Sequence, residues 1–241
     1  MDAAPSPPLA AVVPVAALRA PVRVLVTGDS TAVELANDVD VYAGAHPDKM
    51  VAGRSAFGGC GMTAADDGRL HRFKNGKEWV DISGCVKQWT SIPERVAAEK
   101  IDVVLISIGP WDGDDIKFPN GTVISVLDPA GQALVKAVYE RFVADVRAAG
   151  ARIVWVTPAD IHMSWGTSTN DPLDNPARWT AMRGIIADLG VEQIDLPDWL
   201  TFTANDGPDG RPDGVHMAPA VDAQFVNELV APILTEPVQT P

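Results

Sequence analysis

Ile101 to Ile108 is an apolar run broken only by Asp102 and Ser107, with Val103, Val104, Leu105 and Ile106 consecutive. A strand with one wet face alternates apolar and polar residues. A run without alternation therefore reads as a strand buried on both faces, as in a parallel sheet covered by helices. Val22 to Thr27 and Arg152 to Thr157 are two more such runs, Asp48 to Ala52 is a shorter candidate, and Val191 to Leu196 supplies a fifth. Helical patterns lie between them at Thr31 to Val39, Ile92 to Glu99, Ala177 to Leu189 and Ala218 to Leu234. The best-marked helix has Asp128 as N-cap, Pro129 at its first position and Gly150 as its stop, with Val135, Val138, Tyr139, Phe142 and Val146 on one face. Strands alternating with helices predict an α/β fold: three α/β/α layers around a doubly wound parallel sheet of about five strands, with the site at the strands' carboxyl ends.

A chain of 241 residues suits one such domain, here residues 22–236. Residues 1–21, rich in Ala and Pro, read as a linker, and residues 237–241 as a tail. The net charge of -13, from 19 basic and 32 acidic residues, argues against a nucleic-acid or anionic-membrane surface, where Lys and Arg must neutralise phosphates. A neutral or sparsely charged substrate fits better. Cys60 and Cys85 lie in a Gly- and Asp-rich stretch with little apolar material of its own. Bridged, they staple that stretch and place the protein in an oxidising compartment; two buried thiols are the alternative. From Ala64 to Ser91 polarity is high and no period holds, so this segment is expected to leave the core.

The first strand runs into Gly28-Asp29-Ser30-Thr31. A serine at a strand-to-helix turn exposes its hydroxyl beside its own unpaired amide, a geometry that suits a nucleophile, although Gly-Asp-Ser-Thr is equally good turn and N-cap chemistry. A serine hydroxyl needs a base within reach, itself oriented by a third group. Asp213 and His216, three apart across an Asp-Gly turn, supply both from one loop. His46, His71 and His162 lie in polar segments and are expected to be solvated. Asp112, Asp114 and Asp115 form an acidic cluster expected to be solvated rather than to hold a metal. Neither a metal nor a cofactor is expected.

Gly28-Asp29-Ser30, the glycines Gly58-Gly59-Cys60-Gly61, Gly109-Pro110-Trp111-Asp112 and Asp213-Gly214-Val215-His216, in that order, resemble the four sequence blocks of the SGNH/GDSL hydrolase superfamily over residues 22–234. The resemblance implies a flavodoxin-like fold in which Ser30 is the nucleophile, His216 the general base and then acid, and Asp213 its orienting carboxylate. It implies an oxyanion hole from the amide of Ser30, a second-block glycine, taken as Gly59 with Gly53 as the alternative, and a third-block asparagine. Here Trp111 stands in that asparagine's place, offering a single indole donor. Asp29, Asp112 and Trp165 are candidates for substrate contact.

The Gly-Cys-Gly loop, the second cysteine followed by Trp89, and Arg211-Pro212-Asp213-Gly214-Val215-His216 are similar to a narrower group: SGNH domains fused to membrane acyltransferases of the acyltransferase-three family. That similarity implies an extracytoplasmic domain tethered to an upstream membrane part. It also implies an acyl donor, usually of acetyl, and a cell-envelope carbohydrate or glycolipid acceptor. A carbohydrate or lipid esterase and a non-catalytic carbohydrate-binding module are the alternatives.

Overall fold

The computed structural model describes residues 21–73, 78–165 and 171–236; the expected linker and tail lie outside them, apart from Pro21. Along the chain come β1 (Val22–Gly28), α1 (Ser30–Ala45), β2 (Met50–Ala56), β3 (Leu70–Phe73), β4 (Glu78–Val80), α2 (Val86–Glu99), β5 (Val103–Ser107) and α3 (Pro110–Gly113). They are followed by β6 (Ile116–Lys117), β7 (Val123–Ile124), α4 (Pro129–Ala148), β8 (Arg152–Thr157), α5 (Pro176–Ala187), β9 (Glu192–Asp195), α6 (Leu196–Phe202), α7 (Pro219–Phe225) and α8 (Ala231–Thr235). Five strands form a parallel sheet in the order β2-β1-β5-β8-β9. The chain reverses its direction of sheet growth between β1 and β5, and ligands bind at such a switch point, outside the carboxyl ends of the strands.

Both faces of the sheet are dry. Val103 and Leu105 pack with Val24, Val26, Val154 and Val156 under α1, α6, α7 and α8. Val104 and Ile106 pack on the other face with Leu25, Ile153 and Trp155 under α2, α4 and α5. This is why β5 carries no polar alternation.

Three segments differ from the sequence reading. β2 extends through Gly53 to Ala56, because parallel pairing with Leu25 to Gly28 of β1 supplies backbone bonds that the polar Arg54 and Ser55 do not advertise. Helix α2 begins at Val86 and carries Pro93 inside it. The segment from Ala64 to Ser91 holds β3 and β4, which join β6 and β7 in a second, antiparallel sheet. Asp128 precedes α4, but its side chain makes no cap; Pro129 alone marks the start.

Cys60 and Cys85 form a disulfide with Cα atoms 5.3 Å apart. It ties the glycine loop after β2 to the entry of α2. Closing a loop of this length constrains the unfolded chain by about 3.5 kcal/mol. Three more bonds run from α2 to this edge: the Trp89 indole donates to the carbonyl of Gly61 in the loop at 2.9 Å, and the Gln88 amide donates to the carbonyls of Gly28 and Ser55, at the ends of β1 and β2, at 3.0 and 2.8 Å. The loop that faces the end of β1 is thus held from α2.

Candidate active site

β1 ends at Gly28, whose φ is +147° and whose backbone lies so close to β5 that a Cβ there meets the carbonyl oxygen of Ser107 at 1.7 Å. Only glycine allows this approach. Asp29 follows as the N-cap of α1. It is fully buried, and its carboxylate accepts from the amide of Thr31 at 3.0 Å, the Thr31 hydroxyl at 2.9 Å and the amide of Gly109 at 2.9 Å. Burial pushes the Asp29 carboxyl up to about 6, against the pull of those hydrogen bonds. Asp29, expected at the substrate, is instead fully buried and joins the turns after β1 and β5. The turn leaves Ser30 partly exposed at the first position of α1, where its amide has no partner within the helix.

On the far side, Asp213 and His216 sit in the loop before α7. The Asp213 carboxylate accepts from the amides of Val215 and His216 at 2.8 and 2.7 Å and from the imidazole Nδ1 at 2.6 Å. Burial works to raise the Asp213 carboxyl, but the bonds from the His216 ring and the two amides outweigh it and hold the carboxyl below its ordinary range. The other ring nitrogen, Nε2, lies 2.8 Å from Ser30 Oγ. With Nδ1–H donating to Asp213, Nε2 is left as the acceptor of the serine proton. Gly214 makes the turn possible: its φ is +76°, and a Cβ on it would meet the carbonyl oxygen of His162 at 1.8 Å. Arg211, almost fully buried, donates to the carbonyl of Gly214 at 2.7 Å and pairs with Asp206 at 3.2 Å.

The glycine loop supplies the third wall. Phe57 to Cys60 form a turn closed by the Cys60 amide on the carbonyl of Phe57, with Gly59 at φ +80° as its third residue. The amides of the two central residues make no bond within such a turn. A Cβ on Gly58 would lie 4.0 Å from Ser30 Cβ, whereas one on Gly59 would lie 3.4 Å from the Trp111 ring. Gly58 is thus the glycine whose Cβ position faces Ser30, and Gly59, the residue expected in the oxyanion hole, packs against Trp111 in the same turn. Gly53, the alternative, stands opposite Leu25 inside the sheet and belongs to no site. Trp111 is partly exposed in α3 and packs on the glycine loop.

Asp112, expected at the substrate, is buried among donors. It accepts from the amides of Met62 and Thr63, each at 2.9 Å, from the Thr63 hydroxyl at 2.6 Å and from the Tyr139 hydroxyl at 2.9 Å. Its work is to lock the glycine loop to α3. Burial pushes its carboxyl up, and these bonds pull it down. Asp114 and Asp115 are likewise buried rather than solvated: Asp115 pairs with Arg178 at 2.7 Å and with Arg72, and Asp114 accepts the amide of Asp115 at 2.7 Å. His71 is also fully buried, not solvated. Its Nε2 lies 2.9 Å from the Thr63 hydroxyl, and burial lowers it to about 4, so it is neutral near pH 7. Trp165 is partly exposed, stacks on His162 with centroids 4.2 Å apart, and lies 5.9 Å from the Arg211 guanidinium, which puts it against the loop that carries His216. Among the described residues no cluster of His, Cys, Asp and Glu has the arrangement of a metal site.

No protein-family model matches the sequence, and neither does any curated relative. Solved structures do match the fold. A lipase/acylhydrolase from Enterococcus faecalis superposes with a TM-score of 0.57 at 15% identity, covering 90% of this chain and 98% of that one. An acetyl xylan esterase from Geobacillus stearothermophilus gives 0.55 at 13% identity, covering 92% and 99%. The periplasmic domain of a lipopolysaccharide acetyltransferase from Salmonella ser. Paratyphi A gives 0.53 at 14% identity, covering 88% and 83%. At these identities the likeness is one of architecture: the chain has the α/β fold of the SGNH/GDSL hydrolases.

Proposed function

We propose that this protein is an acyl-ester enzyme that works through a covalent acyl-Ser30 intermediate and passes the acyl group, acetyl or another short one, to a hydroxyl of a cell-envelope carbohydrate or glycolipid. The reading rests on one observation: the hydrogen-bonded chain from Asp213 through His216 to the partly exposed Ser30. As Ser30 Oγ attacks the acyl carbonyl, its proton passes to His216 Nε2, and Asp213 remains ionised beside the imidazolium. The negative charge that develops on the carbonyl oxygen meets the amides of Ser30 and of the Gly58–Gly59 turn, with the Trp111 indole taking the asparagine's part. When the tetrahedral adduct collapses, the departing alcohol takes the proton from His216 and Ser30 keeps the acyl group. In the second half the acceptor hydroxyl gives its proton to His216 and attacks the acyl carbon, and Ser30 leaves with that proton.

The disulfide supports a location outside the cytoplasm, where cystines persist. The likeness in fold to the periplasmic domain of an acetyltransferase is compatible with acyl transfer, as the comparable likeness to an acetyl xylan esterase is with hydrolysis. The intact mass of the protein after incubation with a short acyl ester tests the reading. The expected result is an acyl adduct on Ser30 that an added sugar discharges faster than water does. Discharge at one rate with and without every sugar tried would make the enzyme an esterase, and the absence of any adduct would favour a binding module.

A further inference from the structure

His216 lines an open pocket of about 490 Å³ between α1 and the start of α7. A pocket of that size accommodates a sugar ring. Its walls carry Glu34, Asn37 and Asp38 from α1, Asp213 from the catalytic loop and Asp222 from α7. Among the described residues no Lys or Arg lines it. Exposed Arg54 reaches its wall, donating to the Asn37 amide oxygen at 2.9 Å, and Arg211, in a neighbouring cavity of about 40 Å³, is held by Asp206 and the Gly214 carbonyl.

Asp222 is the telling member. It lines both cavities, is 2% exposed, and its Oδ1 has no hydrogen-bond partner among the described residues. A buried carboxylate oxygen without a donor is costly, and a proton, a cation or a donor from outside relieves that cost. The electrostatics agree. Burial, with Asp38 and Glu34 adding to it, raises the Asp222 carboxyl to about 7. Burial also raises Glu34, with His216 opposing and Asp213 and Asp38 adding, and it raises Asp38. The pocket thus has a predominantly acidic lining, with Asp222 poised to share a proton, beside the group that handles the alcohol's proton.

We infer that this pocket is the alcohol-side subsite and that it selects an alcohol bearing a positive charge near its reacting hydroxyl, an ammonium-bearing sugar being the class that fits. The inference rests on the acyl-Ser30 reading, because the alcohol oxygen meets His216 Nε2 in both half-reactions, whereas the acyl carbonyl lies toward the glycine loop. Asp222, with Glu34 and Asp38, is the specificity determinant.

Two esters of the same shape isolate the charge: acetylcholine and 3,3-dimethylbutyl acetate. The wild-type protein is expected to prefer the cationic ester in kcat/KM by about tenfold or more, as a partly desolvated charge contact provides. That preference should fall toward unity in Asp222→Asn and, separately, in Glu34→Gln. The ratio within each variant is read, so a general loss of activity does not mimic the effect. p-Nitrophenyl acetate turnover that depends on Ser30, together with equal handling of the two esters, would overturn this inference and leave the catalytic reading standing. Without Ser30-dependent turnover the catalytic reading fails. Calorimetry with methyl glucosaminide against methyl glucoside then decides the pocket alone: tighter binding of the amine, lost in Asp222→Asn, supports a cation site, and equal or absent binding overturns it.

Discussion

Ser30→Ala is expected to remove essentially all release of p-nitrophenol from p-nitrophenyl acetate, a fall of ~10⁴-fold or more, with little change in Tm. Loss of a nucleophile from a Ser-His-Asp arrangement leaves only what the oxyanion donors and binding supply. The fold should not notice. Ser30 is partly exposed, its hydroxyl bonds to His216, and the end of α1 is held by Asp29 and Thr31 rather than by Ser30. His216→Ala should cost about as much as Ser30→Ala, and the double variant no more than either, because groups that act as one unit are not additive. A Ser30→Ala protein that turns over substrate at the wild-type rate removes Ser30 from the mechanism.

The second large effect is structural and lies under the site. In Asp112→Ala, four donors lose their acceptor together: the amides of Met62 and Thr63 and the hydroxyls of Thr63 and Tyr139. Each buried donor left unpaired costs about 1–3 kcal/mol, and even with partial rescue by water the total is about 4 kcal/mol. For a domain of this size that lowers Tm by roughly 10 °C. Activity should fall too, through kcat more than KM. Asp112 fixes the segment after the Gly58–Gly59 turn, and its neighbour Trp111 packs on that turn, so the oxyanion donors lose their aim. Thermal denaturation and steady-state kinetics on the same preparation check both parts. An unchanged Tm would show that the Asp112 cluster does not hold the loop.

These two residues also mark what a sequence shows and what it conceals. The meeting of Ser30, Asp213 and His216 was legible because each sits in a short local pattern. Gly-Asp-Ser ends an apolar run, and Asp-Gly-Val-His packs a carboxylate and an imidazole into one turn. Val103 to Ile106 made the two-faced parallel sheet legible in the same way, since continuous burial leaves a continuous apolar run. Asp29, Asp112, Asp114, Asp115 and His71 were not legible as buried groups. Their burial is balanced largely by partners far along the chain, such as Gly109 for Asp29, 80 positions away, and Tyr139 for Asp112, 27 positions away, which the neighbouring residues do not reveal. The second half of β2 and the strands of the small sheet were hidden for a related reason. Gly53 to Ala56 are strand only because β1 lies beside them, and β6 and β7 are two residues each, too short to show a period. That Gly58 lies toward Ser30 and Gly59 toward Trp111 was not legible, because turn phase is set by the close of the Phe57–Cys60 turn rather than by glycine content.

The central claim, that Asp213 and His216 make Ser30 a nucleophile, is tested most directly by treating the native protein with a fluorophosphonate and locating the adduct by peptide mass. The account predicts one adduct, on Ser30, that forms far more slowly in His216→Ala. An unlabelled protein, or a label carried on any other residue, would contradict it.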